Sequence, residues 1–430
     1  MNPRVSRRFC LSGGFPRLVF ALVMLAPILC APRAAVSAAE AVVPCIAGMA
    51  GSYPCASVDL LELVPLATLG AASANDLWGW SSGGREFALV GLDNGTGFVE
   101  ITDPASVVVL GTLPTHTTDS PWRDVKVYAD HALIVSEAAG HGMQVFDLTQ
   151  LLTVVSPPVT FTETAHYPEF GEAHNVVVNE ETGYAYAVGT ATCSGGLHMV
   201  DLQNPLSPVF AGCFSADGYT HDAQCVVYGG PDATHVGREI CFNANGDTLT
   251  IVDVESKVAP LELSRTGYDG ARYVHQGWLT RNHRYFLLDD ELDEIFDDHA
   301  TYTYVFDVQD LDSPTLVGHF TSTSTAIDHN LYVRGAYVFQ ANYRSGLRIL
   351  RIDDLAEAQM TQVAFFDTYP ADDLPEFDGA WSVYPYFESG NVVVSAIGEG
   401  LFVLRPTDLP ILLIADHEEG DTSDWTSTVE

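Results

Sequence analysis

Residues 249–254 read LTIVDV, and close variants recur as MQVFDL at 143–148, LHMVDL at 197–202 and YVFDV at 304–308. In each, apolar residues alternate and an aspartate follows, the pattern of a β-strand running into a turn that the Asp side chain can close through a local backbone hydrogen bond. Proline often follows before the next strand, as in ITDPASVVVLG (101–111) and DVQDLDSPTLVGHF (307–320), and a strand pair such as HNVVVN (174–179) with GYAYAVG (183–189) precedes. The unit is thus four strands, repeating at roughly 45–55 residues, the spacing of β-propeller blades.

Seven units begin near Asp76, Asp124, His174, His221, His275, His329 and Asp378. The last lacks a fourth strand, because GLFVLRP at 400–406 ends the pattern. An unpaired strand at 58–70, VDLLELVPLATLG, precedes the first unit. It fits as the outer strand of the last blade and removes the open sheet edge. The expected fold is an all-β, seven-bladed propeller of four-stranded antiparallel blades spanning 58–406.

The 430 residues begin with Arg4, Arg7, Arg8 and Arg17, then LVFALVMLAPILC (18–30) and the small residues VSA ending at Ala38. This reads as a signal peptide over 1–38, its apolar run too short for a spanning helix. Its removal takes five of 19 basic residues and none of 56 acidic ones, leaving 14 − 56 = −42. That charge argues against nucleic acid and favours cations, basic ligands or plain solubility. The six remaining cysteines suggest disulfides in an exported chain, with Cys45–Cys55 in a segment at 39–57, and Cys193–Cys213 and Cys225–Cys241 within repeats. The acidic stretch 407–430 reads as a tail, either disordered or a recognition signal. A monomer with no membrane span after processing is expected.

The segments CIAGMAGSYPCASVDLLELVPL (45–66), GHGMQVFDL (140–148), THDAQCVVY (220–228), REICFNANGDTLTIVDV (238–254), RYFLLDDELDE (284–294) and DHNLYVRGAYVFQANYRSGLRILRI (328–352) resemble the choice-of-anchor B family, whose LVIVD repeats the LTIVDV phrases are similar to. The resemblance runs from about Cys45 to Pro406. It implies an exported bacterial propeller with a variable C-terminal attachment segment, and no established activity.

In a propeller the first strand of each blade lines the channel, so its starting residues converge. The ring expected here is Asp76, Asp124, His174, His221, His275, His329 and Asp378. Imidazole with carboxylate suits a divalent transition metal; the alternative is that each side chain bonds backbone at its strand start. Ligand bonds of ~2 Å allow only some of the seven to share one ion. Loops after the second strands return to the same face and add Asp93, Asn94, Glu137, His141, Asn243, Asn245, the run Asp289 to Glu294, Asn342 and Arg344. Of these, Glu137, His141, Asp289, Asp290, Asn342 and Arg344 are the candidate ligand-binding residues. Seven carboxylates between Asp289 and Asp298 are dense enough for calcium if several turn inward, though no EF-hand spacing is present and a solvated insertion is the simpler reading. Trp78, Trp80, Trp122, Trp278 and Trp381 recur near blade starts and read most simply as packing between blades.

No GxSxG elbow, HExxH helix, Walker loop or dinucleotide fingerprint is present. The function expected is a secreted or surface binding or scaffold module, its partner an extracellular protein, glycan or small ligand. The alternative is a metal-dependent hydrolase or lyase at the same mouth, with Glu137, His141 or Asp290 transferring protons.

Overall fold

The computed structural model describes residues 42–409. The stretch 1–38, read from sequence as a signal peptide, and most of the acidic stretch 407–430 lie outside the described residues.

Seven sheets form the blades, each opening on a strand beside the channel: Ala74–Ser82, Arg123–Tyr128, Asn175–Asn179, Asp222–Val227, Val274–Leu279, Leu331–Arg334 and Ala380–Tyr384. Each inner strand packs beside the inner strand of the next blade, and Ala380–Tyr384 returns to Ala74–Ser82, which closes the ring. Closure is completed by Val58–Pro65, which pairs antiparallel with Gly400–Pro406 as the outer strand of blade 7. The strand stops earlier than the sequence pattern suggests. Leu66–Leu69 form a single helical turn, ended by Gly70 at φ 74°, a conformation that glycine adopts without steric cost.

The recurring LTIVD phrase has two structural consequences. In the pairing of third and fourth strands the register shifts at Phe98/Val99, Met199/Val200, Ile251/Val252, Val305/Phe306 and Ile349/Leu350, a bulge that increases local twist. The aspartate after the strand then accepts the backbone N–H two residues on: Thr149 to Asp147, Gln203 to Asp201, Glu255 to Asp253 and Gln309 to Asp307, at 2.8–3.0 Å. In three of the four phrases the bulge precedes the Asp-closed turn, while Met143–Asp147 has the turn without the bulge.

Apolar side chains on the two faces of each sheet meet those of its neighbours, giving seven core clusters, one at each blade interface. Phe98 and Phe146, for example, stack at 4.8 Å between blades 1 and 2. Two blades are extended. Val159–Thr160 adds a parallel strand outside Val108–Pro114 of blade 1. Met49–Ala50 and Tyr53–Ala56 add two strands to Gln359–Phe366 of blade 6. Disulfides join Cys45 to Cys55, Cys193 to Cys213 and Cys225 to Cys241. Three disulfides in one chain fit an oxidising compartment. Among the described residues no helix is long and apolar enough to cross a membrane.

Candidate metal centre at the channel mouth

Aligning the inner strands shows that the expected seven-member ring is two rings offset by one residue. The histidines His174, His221, His275 and His329 occupy the position just outside the channel-facing carboxylates, where blades 1, 2 and 7 carry Asn75, Arg123 and Trp381. Asp76 and Asp124 sit one residue further in, level with Asn175, Asp222, Gln276, Asn330 and Ser382. Asp378 belongs to neither ring. It is half-buried two residues ahead of its strand, and its Oδ1 accepts from Gly379 N.

The aspartates are occupied by a lysine rather than open to a metal. Lys126 Nζ lies 2.5 Å from Asp124 Oδ1 and 3.2 Å from Asp76 Oδ2. Burial, with Asp76 close by, pushes the Asp124 carboxyl well up despite Lys126. The Asp222 carboxyl is pushed up to about 6, burial again being the larger cause. Each of the three also accepts the N–H of the next residue, Leu77, Val125 or Ala223, at 2.7 Å. This layer plugs the channel.

The histidines form an arc at the mouth, with successive ring centroids 4.2, 4.1 and 4.4 Å apart. Every Nδ1 is engaged: His174 with Glu137 Oε1 at 2.6 Å, His221 with the His275 carbonyl at 2.9 Å, His275 with Asp289 Oδ1 at 2.8 Å and His329 with the Trp381 carbonyl at 2.5 Å. An imidazole that donates from Nδ1 presents a bare Nε2 lone pair, the arrangement that orients metal-ligating histidines. Glu291 supplies the third group, its Oε1 lying 3.9 Å from His275 Nε2 and 3.7 Å from His329 Nε2. One atom from each of the three falls within 4.8 Å of the others. Two ligands of a tetrahedral ion lie about 3.4 Å apart, and the two His–Glu291 separations, 3.9 and 3.7 Å, exceed that by only a few tenths of an ångström.

Electrostatics favour the ligating form of the buried histidines. Burial foremost pushes the His329 imidazole down to about 4, and burial with neighbouring imidazoles holds His221 and His275 well below the usual range. Neutral imidazole is the form that binds metals. Burial raises Glu291 to about 7, against the hydrogen bond that Tyr343 Oη donates to it at 2.8 Å.

The second-strand loops divide. Glu137 reaches the mouth through His174, and Asp289 supports His275. Asp290 instead accepts from Tyr268 Oη and from the backbone of Arg272 and Tyr273, tying down a loop. His141 is fully buried, with Nδ1 on the Gly142 carbonyl and Nε2 facing Arg123, so neither nitrogen is left for a ligand or for proton transfer. Arg344 is held by Asp372 and Glu376 over the Tyr369 ring, and Asn342 is buried in a tight turn. The tryptophans also separate. Trp80 packs between blades, and Trp381 and Trp122 border the mouth. Trp78 and Trp278 line the channel below the lysine layer, where both meet Tyr332 edge to face and Lys126 Nζ lies 4.8 Å from the Trp78 ring. A cavity of about 840 Å³ opens there toward the opposite face.

No protein-family model matches the chain, and no curated protein matches it in sequence. Solved structures do. Kuenenia stuttgartiensis hydrazine synthase is similar with a TM-score of 0.52 at 10% identity, covering 75% of this chain and 92% of that one. A protein from Lactobacillus plantarum has a TM-score of 0.50 at 13% identity, with coverage of 70% and 84%. The periplasmic gluconolactonase of Pseudomonas aeruginosa has a TM-score of 0.48 at 12% identity, with coverage of 69% and 88%. At such identities the likeness to the first two is one of fold alone, and the fold of this chain is the β-propeller.

Proposed function

We propose that this chain is an exported β-propeller of the choice-of-anchor B kind, a binding module whose channel mouth holds a divalent transition metal through His275, His329 and Glu291. The observation that carries the reading is the convergence of two Nε2 atoms on one carboxylate while both Nδ1 atoms are held from behind. His221 and His174 continue the arc. The ion would have a position left for a donor atom from an extracellular protein, glycan or small ligand, as three-ligand sites do. The test is elemental analysis of the purified protein after zinc loading and desalting. About one equivalent is expected in the wild type, and a His275→Ala, His329→Ala variant should retain none; equal zinc in both sinks the reading.

A metal-dependent hydrolase or lyase is the second reading, favoured by one contact. His174 and Glu137, bonded at 2.6 Å and separated from His275 by His221 along the arc, would supply an acid–base pair at the same mouth. An activity screen on esters, phosphoesters and polysaccharides, with and without chelator, separates the two. Turnover that chelator abolishes makes it an enzyme; recovery of a bound glycan or protein without turnover makes it a binder.

A further inference from the structure

The acidic run behind the mouth turns inward. Asp293 and Glu294 open the short helix Asp293–Asp297, yet their side chains are 1% and 2% exposed. Asp328, from the loop before blade 6, meets them and is 0% exposed. One oxygen from each of the three lies within 4.8 Å of the other two. Neither oxygen of Asp328 has a hydrogen-bond partner, nor has Asp293 Oδ1. Asp293 Oδ2 accepts from Tyr304 Oη at 2.8 Å, and His299 Nε2 lies 3.8 Å from the same oxygen. The charged groups that act most on Asp328 are carboxylates: Glu294, Asp289, Asp293 and Asp290.

Buried carboxylates are found paired with cations or ligating metals, because an isolated one forfeits its hydration without compensation. Asp328 comes from a different blade than the acidic run, and it brings two unpartnered oxygens to the same point. We propose that Asp293, Glu294 and Asp328 bind a calcium ion, a second and chemically distinct cation site in this propeller. The ligand atoms are all hard oxygens, which suits calcium or magnesium and not the metal of the histidine arc. Magnesium keeps most of its water and fits a closed protein cage poorly, whereas calcium accepts carboxylates at variable angles. The ion would cancel repulsion that reaches Asp289, whose Oδ1 holds His275 and whose Oδ2 has no partner. It therefore braces the mouth from behind.

The experiment is calorimetric titration of the EGTA-treated, desalted full chain with calcium chloride, alongside thermal unfolding. One calcium per chain and a rise of roughly 3–6 °C in the unfolding midpoint are expected at saturation, with magnesium giving less than half of that shift. Asp328→Asn and, separately, Glu294→Gln should lose at least tenfold in calcium affinity. The His275→Ala, His329→Ala variant should keep it, which separates this site from the metal at the mouth. Absence of a calcium-dependent shift in the wild type, with Asp328→Asn more stable than wild type whatever the cation, would show that the cluster holds protons only and overturn the proposal. Undiminished calcium binding in both single variants would overturn it too.

Discussion

His275 Nδ1 and Asp289 Oδ1 lie 2.8 Å apart, both side chains almost wholly shielded from solvent. The carboxylate fixes which imidazole nitrogen carries the proton and which way the ring faces. Replacing it with an amide of the same shape keeps the packing and weakens that hold. Asp289→Asn is therefore expected to lower zinc affinity about 10–100-fold while leaving one equivalent bound at saturation. Competition with a chromophoric chelator measures it, and an unchanged dissociation constant would remove Asp289 from the support of the site.

Lys126 is the cation of the channel plug, with Asp124, Asp76 and Asp222 around it. Lys126→Met leaves those carboxylates buried without it and is expected to cost about 3–5 kcal/mol in urea unfolding at neutral pH. Adding Asp124→Asn should recover part of the loss, since one charge then disappears with its partner. A single variant as stable as wild type would mean the plug is hydrated.

His198 gives stability a pH dependence of definite sign. It is buried beside the Cys193–Cys213 disulfide, with Tyr167 Oη 2.9 Å from Nε2 and Thr192 Oγ1 2.8 Å from Nδ1, and burial pushes its imidazole down to about 4. The unfolded chain takes up that proton near pH 6.5, the folded chain only near 4. The contribution is therefore full above pH 6.5 and is lost as pH falls through that window, on the order of 3 kcal/mol in all. Asp222 and Asp367, both pushed up to about 6 by burial, act in the opposite sense. The readout is accordingly the difference between wild type and His198→Gln in unfolding free energy, which should shrink between pH 6.5 and 4; a constant difference would contradict the assignment.

Gly212 tests the packing of blade 3 on blade 4. A Cβ built there would meet the Lys257 carbonyl oxygen at 1.7 Å, a backbone atom that cannot swing aside. Gly212→Ala is expected to destabilise by more than about 2 kcal/mol, whereas Gly229→Ala, with nothing within 4 Å, should change stability by less than about 0.5 kcal/mol. Equal unfolding midpoints for the two variants would show that the blade interface yields.

The blade count and the Asp-closed turns were legible in the sequence because each rests on a local pattern that recurs along the chain, and the closing strand because it stood unpaired ahead of the first repeat. Alternation, an aspartate and a proline at fixed offsets need no knowledge of neighbours. The histidines at blade starts were legible for the same reason. Which side chains meet across the channel was not. A one-residue offset on a strand turns a side chain to the other side, and that offset separates the histidine arc from Asp76 and Asp124, which a looser alignment merges. Lys126 gave no signal as a partner of those aspartates, since the three come together only when blades 1 and 2 pack. Glu291 stood within an acidic run with no mark to set it above Asp289 or Asp290. Its distance from His275 and His329 depends on the angle between blades 5 and 6. Composition and periodicity thus determined the architecture, since backbone hydrogen bonding and burial act locally and repeat. Tertiary structure alone decided the chemistry of the mouth, because distances between side chains on different blades are set by the closure of the whole ring.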